Sequence, residues 1–474
     1  MPSNLVKFNT ETFRCKYEYL PNATEEDGAL AVVTDRANSV YMASNGLWKS
    51  LIFNAVATAL LSPTTGAEVP LVKTNQKALI AGDSNTAQNR SDTSTFLKYS
   101  DRGYFVWANS YLGQRLELVK NAGINGDTTA MLLARLSADV LAYNAGWNFI
   151  LCGVNDILTG VPWATTVSNL QLIYEAIIAN GGNVVAMAVM PCGSFSTDTH
   201  KEALVNINLW IKNYSVRNPK VWFVDSYMPL LNPASTTGAP LTTYMWDSTT
   251  HLSTLGAQII GKAIFNVLDS VIPKVGIQSS LADSVSPTNP YGNFVANPVM
   301  SGTGGTNETG SSGSIADNWR SIRTAGTATA VGAKVARTDY PNLEWQQITI
   351  TSTSGSSTYW LYAFGETLAG SGISAGDLVY AQFEIDLSFT GVTLSDLKPY
   401  LLSTTGTGIL TAYANGQNDG SIRNDGPYVF RTPNFTIPLD ATGSPRPVIE
   451  LVFSGSGSLV LKAGRVEIRK VQQS

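Results

Sequence analysis

Between residues 73 and 275 the apolar and polar positions follow two rhythms in alternation. Short apolar runs, KALIAG (77–82), NFILCG (148–153), VVAMAVM (184–190) and VWFVD (221–225), are separated by longer stretches with apolar residues every three or four positions. After Thr128 this repeat puts Leu132, Leu136 and Val140 on one face. After Pro162 it does the same for Val167, Leu170, Tyr174 and Ile177, with Gly181-Gly182 as the stop. After Ser253 it groups Ile260, Ile264, Val267 and Val271, closed by Pro273. The stretch ending at Lys120 reads as helix-like too. Apolar strands separated by amphipathic helices predict a parallel sheet covered on both faces, an α/β domain of three layers.

The flanks are patterned differently. Residues 1–72 hold short alternating segments, ALAVVTD and SVYMAS, and Asn45-Gly46 is the signal of a two-residue hairpin turn, so a β-rich segment is expected. Beyond 275 the helical period is absent. Residues 301–314 (SGTGGTNETGSSGS) read as a loop or linker. The segments LEWQQITI, TYWLYAF, LVYAQFEIDL, YVFRTPNFTI, PVIELVFS and SLVLKAGRVEIRK then predict an all-β sandwich. With 474 residues the chain exceeds one ordinary domain, and the expected division is 1–72, 73–275 and 276–474.

Composition narrows the function. With 44% hydrophobic and 14% charged residues the chain can build sizeable cores and is not of the disordered class. A formal net charge of −4 without runs of Lys or Arg supplies no phosphate-binding surface, so nucleic acid is not an expected partner. Three cysteines, Cys15, Cys152 and Cys192, lie far apart with no CxxC, against both a disulfide scaffold and a zinc site; Cys152 and Cys192 read as small buried apolar residues. The N-terminal residues lack the basic-then-apolar pattern of a signal peptide. The longest apolar stretch, Leu51 to Leu61, has about 11 residues where a membrane span needs ~20. Histidine is the scarce resource: only His200 and His251 are present, so any imidazole chemistry uses one of them.

In an open parallel sheet, ligands gather beyond the carboxyl ends of the strands. After KALIA comes Gly82-Asp83-Ser84-Asn85; after NFILC comes Gly153-Val154-Asn155-Asp156. Following Lys120 is Asn121-Ala122-Gly123-Ile124-Asn125-Gly126-Asp127-Thr128, and near the end of the region is Asp247-Ser248-Thr249-Thr250-His251, before a helix. In these four blocks, GDS, INGDTT, GVND and HLSTLGA, residues 73–275 resemble the GDSL/SGNH hydrolases, whose blocks supply Ser, Gly, Asn and His in this order. The resemblance implies a flavodoxin-like α/β/α fold and ester hydrolysis without metal or cofactor.

Each residue has a chemical and a structural reading. Ser84 is the candidate nucleophile, or a helix-capping serine. His251 is the candidate base, or a structural histidine; His200, in STDTHKEA, reads as structural or exposed. The oxyanion hole implied comprises the backbone N–H groups of Ser84 and Gly126 and the side-chain amide of Asn155; otherwise Gly126 is a turn glycine and Asn155 a turn-capping residue. The family spaces its acid three residues before the histidine, whereas Asp247 stands four before His251. Asp247, Asp225 or a backbone carbonyl is then left to orient the imidazole. Asp83 and Asp156 read as turn-holding carboxylates.

Residues 28–49 resemble short β segments of bacteriophage tail fibres and tailspikes. The C-terminal region resembles β-sandwich modules of carbohydrate-active and receptor-binding proteins, with Trp319, Trp345, Tyr359 and Trp360 as core residues or sugar-stacking aromatics. Together these readings suggest a virion tail protein, working outside the host cell beside other tail proteins and removing O-acetyl groups from a surface polysaccharide. The competing readings are an esterase or lipase for longer acyl chains and a non-catalytic receptor-binding tail protein.

Overall fold

The computed structural model describes residues 76–93, 96–235, 237–274, 283–340, 343–363, 372–404, 409–415, 422–423, 426–443 and 445–471, and seven short strands within the first 75 residues. The chain divides into two compact units, Met1–Asn75 and Gln76–Ser474.

In the first unit, β1 (Val6–Phe8), β2 (Thr12–Cys15), β3 (Leu30–Val33), β4 (Ser39–Ser44) and β5 (Leu47–Ser50) form a sheet in sequence order, while β6 (Leu60–Leu61) pairs with β7 (Glu68–Val69). β4 and β5 are antiparallel with Ser44 opposite Leu47, the register of a two-residue connection; Asn45 and Gly46 themselves, like the Cys15 side chain, lie outside the described residues.

The second unit opens with the parallel sheet. Its strands are β8 (Lys77–Gly82), β10 (Glu117–Gly123), β11 (Trp147–Leu151), β12 (Asn183–Met187) and β13 (Val221–Val224), in the order β10-β8-β11-β12-β13. Numbered by appearance this is 2-1-3-4-5, the flavodoxin-like order, whose topological switch lies between β8 and β11. Successive residues of a strand face opposite layers. Leu79, Ala81, Ile150, Val184 and Ala186 meet α3 (Thr129–Asp139), α5 (Trp163–Ala179) and α6 (Asp198–Arg217). Ala78, Ile80, Phe149, Val185 and Met187 face α2 (Tyr104–Tyr111) and α7 (Thr254–Leu268). The expected faces Leu132/Leu136/Val140 and Val167/Leu170/Tyr174/Ile177 are buried. On α7 the buried row is Ile260, Ile264 and Leu268, continued by Ile272; Val267 and Val271 are only partly buried, one position round from the expected row.

Two expectations need correction here. The stretch through Lys120 is the edge strand β10, most of whose residues are only partly buried because, among the described residues, no further strand pairs with its outer side. In addition α2 is a helix that periodicity does not announce: every one of its eight residues is buried, so it has no polar face to mark the period.

α2 is buried all round because the C-terminal β region covers it. That region contains β14 (Gly304–Asn307), β15 (Ser311–Gly313), β16 (Ile315–Ala325), β17 (Thr329–Ala336), β18 (Glu344–Ser352), β19 (Ser356–Ala363), β20 (Leu378–Thr404), β21 (Ile409–Tyr413), β22 (Tyr428–Arg431), β23 (Phe435–Thr436) and β24 (Arg446–Lys470). Residues 301–314 are thus not a linker: β14 pairs with β16 and β15 with β17, so backbone pairing orders a segment whose composition signals only flexibility. All these strands, joined by β9 (Phe96–Lys98) from the α/β part, are hydrogen-bonded into one network through the long pair β20 and β24. Trp107 of α2 meets Tyr428 and Phe430 edge-on, both at 5.6 Å between ring centres. Gln258 of α7 donates to the Tyr428 hydroxyl at 2.9 Å and accepts from the Arg423 N–H at 2.7 Å. The apolar interior therefore continues from the sheet through α2 and α7 into the β region. Trp319 and Tyr359 lie inside it, at 0% and 1% exposure, and cannot stack on an external sugar. Trp345 is covered by the Arg337 guanidinium, 3.9 Å from its ring centre.

Candidate active site

Ser84 is placed by the end of β8. Gly82 has φ +153°, and a Cβ there would stand 1.8 Å from the Leu151 carbonyl oxygen of β11, so only glycine lets the two strands approach at the switch point. Asp83 then caps the four-residue helix α1 (Ser84–Ala87), its Oδ1 accepting from the Asn85 N–H at 3.0 Å. The strand-to-helix turn leaves Ser84 partly exposed between fully buried neighbours.

His251 arrives from the far end of the α/β sequence. Its Nε2 lies 2.8 Å from Ser84 Oγ and its Nδ1 2.6 Å from Asp247 Oδ2. Asn85 holds the segment in place: its Nδ2 donates to the Thr250 carbonyl at 3.2 Å, and its Oδ1 accepts from the Leu252 N–H at 3.1 Å. The backbone groups on both sides of the imidazole are thereby tied to the residue after Ser84. Nothing in composition or spacing marks Asn85 for this, because its partners are 165 and 167 residues away.

The extra residue between acid and base is absorbed locally. Ser248 adopts φ +69°, and the chain curls round the carboxylate so that Asp247 Oδ1 accepts the N–H groups of Thr249, Thr250 and His251 at 3.0, 2.8 and 3.1 Å. Partial burial works against the charged carboxylate. The backbone N–H bonds and the His251 bond outweigh that, holding Asp247 well below the usual carboxylate range. Asp225 is turned elsewhere, its Oδ1 accepting from the Tyr227 and Met228 N–H groups at 3.0 Å each. His200 stands on the first turn of α6, its ring beside Phe195.

A hydroxyl bonded to an imidazole that is itself bonded to a carboxylate has a defined chemical capacity. The imidazole takes the hydroxyl proton as oxygen attacks an acyl carbon, and the carboxylate fixes the tautomer and stabilises the imidazolium. Gly126 is exposed at φ +82° on the loop between β10 and α3, and α4 (Val154–Leu158) carries Asn155 beside that loop. Asn155 Nδ2 donates to the Asp127 carbonyl at 2.9 Å, which ties the two loops; the amide retains its second hydrogen.

The other acidic residues of these blocks serve the scaffold. Asp156, fully buried, accepts from the Thr129 N–H at 2.8 Å and bonds its hydroxyl, joining α4 to α3. Asp127 pairs with Arg135, which also donates to the Ala122 carbonyl at 2.7 Å. Burial pushes the Asp83 carboxyl up to about 7. Cys152 and Cys192 are buried free thiols. Among the described residues no three His, Cys, Asp or Glu side chains gather as a metal site. A cavity of about 340 Å³ bordered by Arg90, Tyr99, Glu117, Val119 and Arg431 lies at the amino end of β10, the opposite end from Ser84, and belongs to neither hydroxyl nor imidazole.

Residues 80–259 match the model of the GDSL-like Lipase/Acylhydrolase family. This match spans the α/β part of the chain, and the chain is a carboxylic ester hydrolase. Similar solved structures include a GDSL-like lipase from Bacteroides thetaiotaomicron VPI-5482, at 20% identity and a TM-score of 0.34, covering 42% of this chain and 90% of that one. An acetylxylan esterase from Geobacillus stearothermophilus is similar at 21% identity and a TM-score of 0.33, covering 41% of this chain and 94% of the other. No curated protein sequence matches the chain.

Proposed function

We propose that this esterase removes O-acetyl groups from a bacterial surface polysaccharide as part of a phage tail. Ser84 is the nucleophile, His251 the general base and then acid, and Asp247 the carboxylate that orients it. The Ser84 and Gly126 N–H groups and the Asn155 amide receive the oxyanion. The observation that carries the catalytic part is the unbroken hydrogen-bonded line Ser84–His251–Asp247, with 2.8 and 2.6 Å links. In the first step Oγ bonds to the acetyl carbon, the sugar oxygen leaves with the proton from His251, and an acetyl-serine remains. Water, deprotonated by His251, then releases acetate and restores the hydroxyl.

The polymeric substrate and the tail setting rest on architecture. A β-rich region packs directly on the catalytic layer through Trp107, Gln258 and Tyr428, and the first unit consists of short paired strands of the kind expected in tail fibres. Acetate release from O-acetylated bacterial polysaccharides by the intact chain tests the reading, with Ser84→Ala as the control. Release by the wild type alone supports it. Turnover confined to longer p-nitrophenyl esters replaces it with a lipase-like function, and no ester turnover at all leaves a receptor-binding role.

A further inference from the structure

Trp246 precedes the carboxylate that orients His251, and it is half exposed at 50%. The side chain is nevertheless held in place. Its backbone N–H donates to the His251 carbonyl at 2.9 Å, and the neighbouring residues Met245 and Leu252 bridge. The Arg102 guanidinium sits 4.7 Å from the indole centre, a cation–π contact against the ring. The indole centre stands 5.9 Å from that of the His251 ring, with the two planes inclined by 33°. About half of the Trp246 surface thus remains open to solvent with the ring centre 5.9 Å from that of the base, and the Ser84–His251–Asp247 line does not use it.

An acetyl group is too small to need such a surface. The group carrying the acetyl does need a place, since it leaves from the side where His251 delivers its proton. A flat apolar face beside that point matches the C–H face of a pyranose, which packs on indole while its hydroxyls stay in water. We propose that Trp246 is the sugar-stacking wall of the active site, the residue that makes an acetylated pyranose a better substrate than a simple acetate ester. The proposal rests on the polysaccharide reading above. Arg102 is a positioning residue in it, acting through the indole.

The test uses the full chain, with p-nitrophenyl acetate, p-nitrophenyl octanoate and methyl tetra-O-acetylglucopyranoside as substrates. The measured quantity is the ratio of kcat/KM for the acetylated sugar to that for p-nitrophenyl acetate. Trp246→Ala is expected to lower this ratio at least about tenfold, chiefly through KM, while Trp246→Tyr keeps it within about threefold of wild type. A purely structural Trp246, needed only to hold Asp247 and His251, would depress both substrates by the same factor and leave the ratio unchanged; that result overturns the proposal. So does a loss concentrated on the octanoate ester, which would make the surface an acyl wall. A wild type that cleaves p-nitrophenyl acetate but no acetylated sugar overturns the polysaccharide reading itself, whereas an active wild type with an unmoved ratio in Trp246→Ala overturns only the role of Trp246.

Discussion

Asp247 stands four residues before His251, yet its Oδ2 lies 2.6 Å from His251 Nδ1 while its Oδ1 accepts three backbone N–H groups. The longer spacing does not move the carboxylate away. The additional residue becomes the turn at Ser248 that wraps the backbone round it. Asp247→Asn preserves an acceptor for the turn but removes the charge facing the imidazole. It is expected to lower kcat at least about 100-fold with little change in KM, as for loss of an interaction made only in the transition state. Asp225→Asn, at a carboxylate that caps a short helical turn, should lower the melting temperature more than the rate. Steady-state kinetics of the two variants checks both, and a large rate loss confined to Asp225 would contradict the assignment.

Ser84 and His251 act as one device if the 2.8 Å bond between them is the route of the proton. Ser84→Ala and His251→Ala should each reduce kcat by at least about 10³, and the double variant should be hardly slower than either. His200→Ala should stay within about threefold of wild type, because His200 caps no part of this line.

Asp83 makes stability depend on pH in a direction opposite to most carboxylates. Burial raises its folded pKa to about 7 from an ordinary carboxyl value of 3.8, so between those pH values the native state holds a proton that the unfolded chain releases. Its contribution is therefore full below about pH 4, declines through the interval, and stays low above about pH 7. Asn at this position is neutral throughout and can still accept from the Asn85 N–H. Asp83→Asn should melt close to wild type at pH 4.5 and above it at pH 8; equal differences at both pH values would refute the buried-carboxyl account.

The α/β part should not survive removal of the β region. Trp107 and Tyr111 are buried against Tyr428, whose own exposure is 0%. Cutting the chain after residue 274 would uncover the whole outer side of α2. The shortened chain is expected to be aggregation-prone and to lack a cooperative melting transition, judged by calorimetry. In the full chain Tyr428→Ala should cost on the order of 3–5 kcal/mol, as for other large aromatic deletions from a core, through the cavity it leaves and the lost bond to Gln258.

The order of chemical blocks, the position of Ser84 at a strand end, the rows Leu132/Leu136 and Val167/Leu170/Tyr174/Ile177, and the all-β nature of the C-terminal region are local properties. Each depends on residues close in sequence, and periodicity reports them directly. Tertiary structure decided what depends on distant partners. The choice of Asp247 over Asp225 follows from how two loops turn their carboxylates, and neither spacing nor composition encodes that direction. The strands at 304–307 and 311–313 exist because β16 and β17 offer them backbone partners, although Gly and Ser alone favour no conformation. α2 gives no periodic signal because its second face is covered by Tyr428 and Phe430, more than 300 residues further along the chain. A sequence pattern records which residues avoid water, but only the folded chain determines what they meet instead.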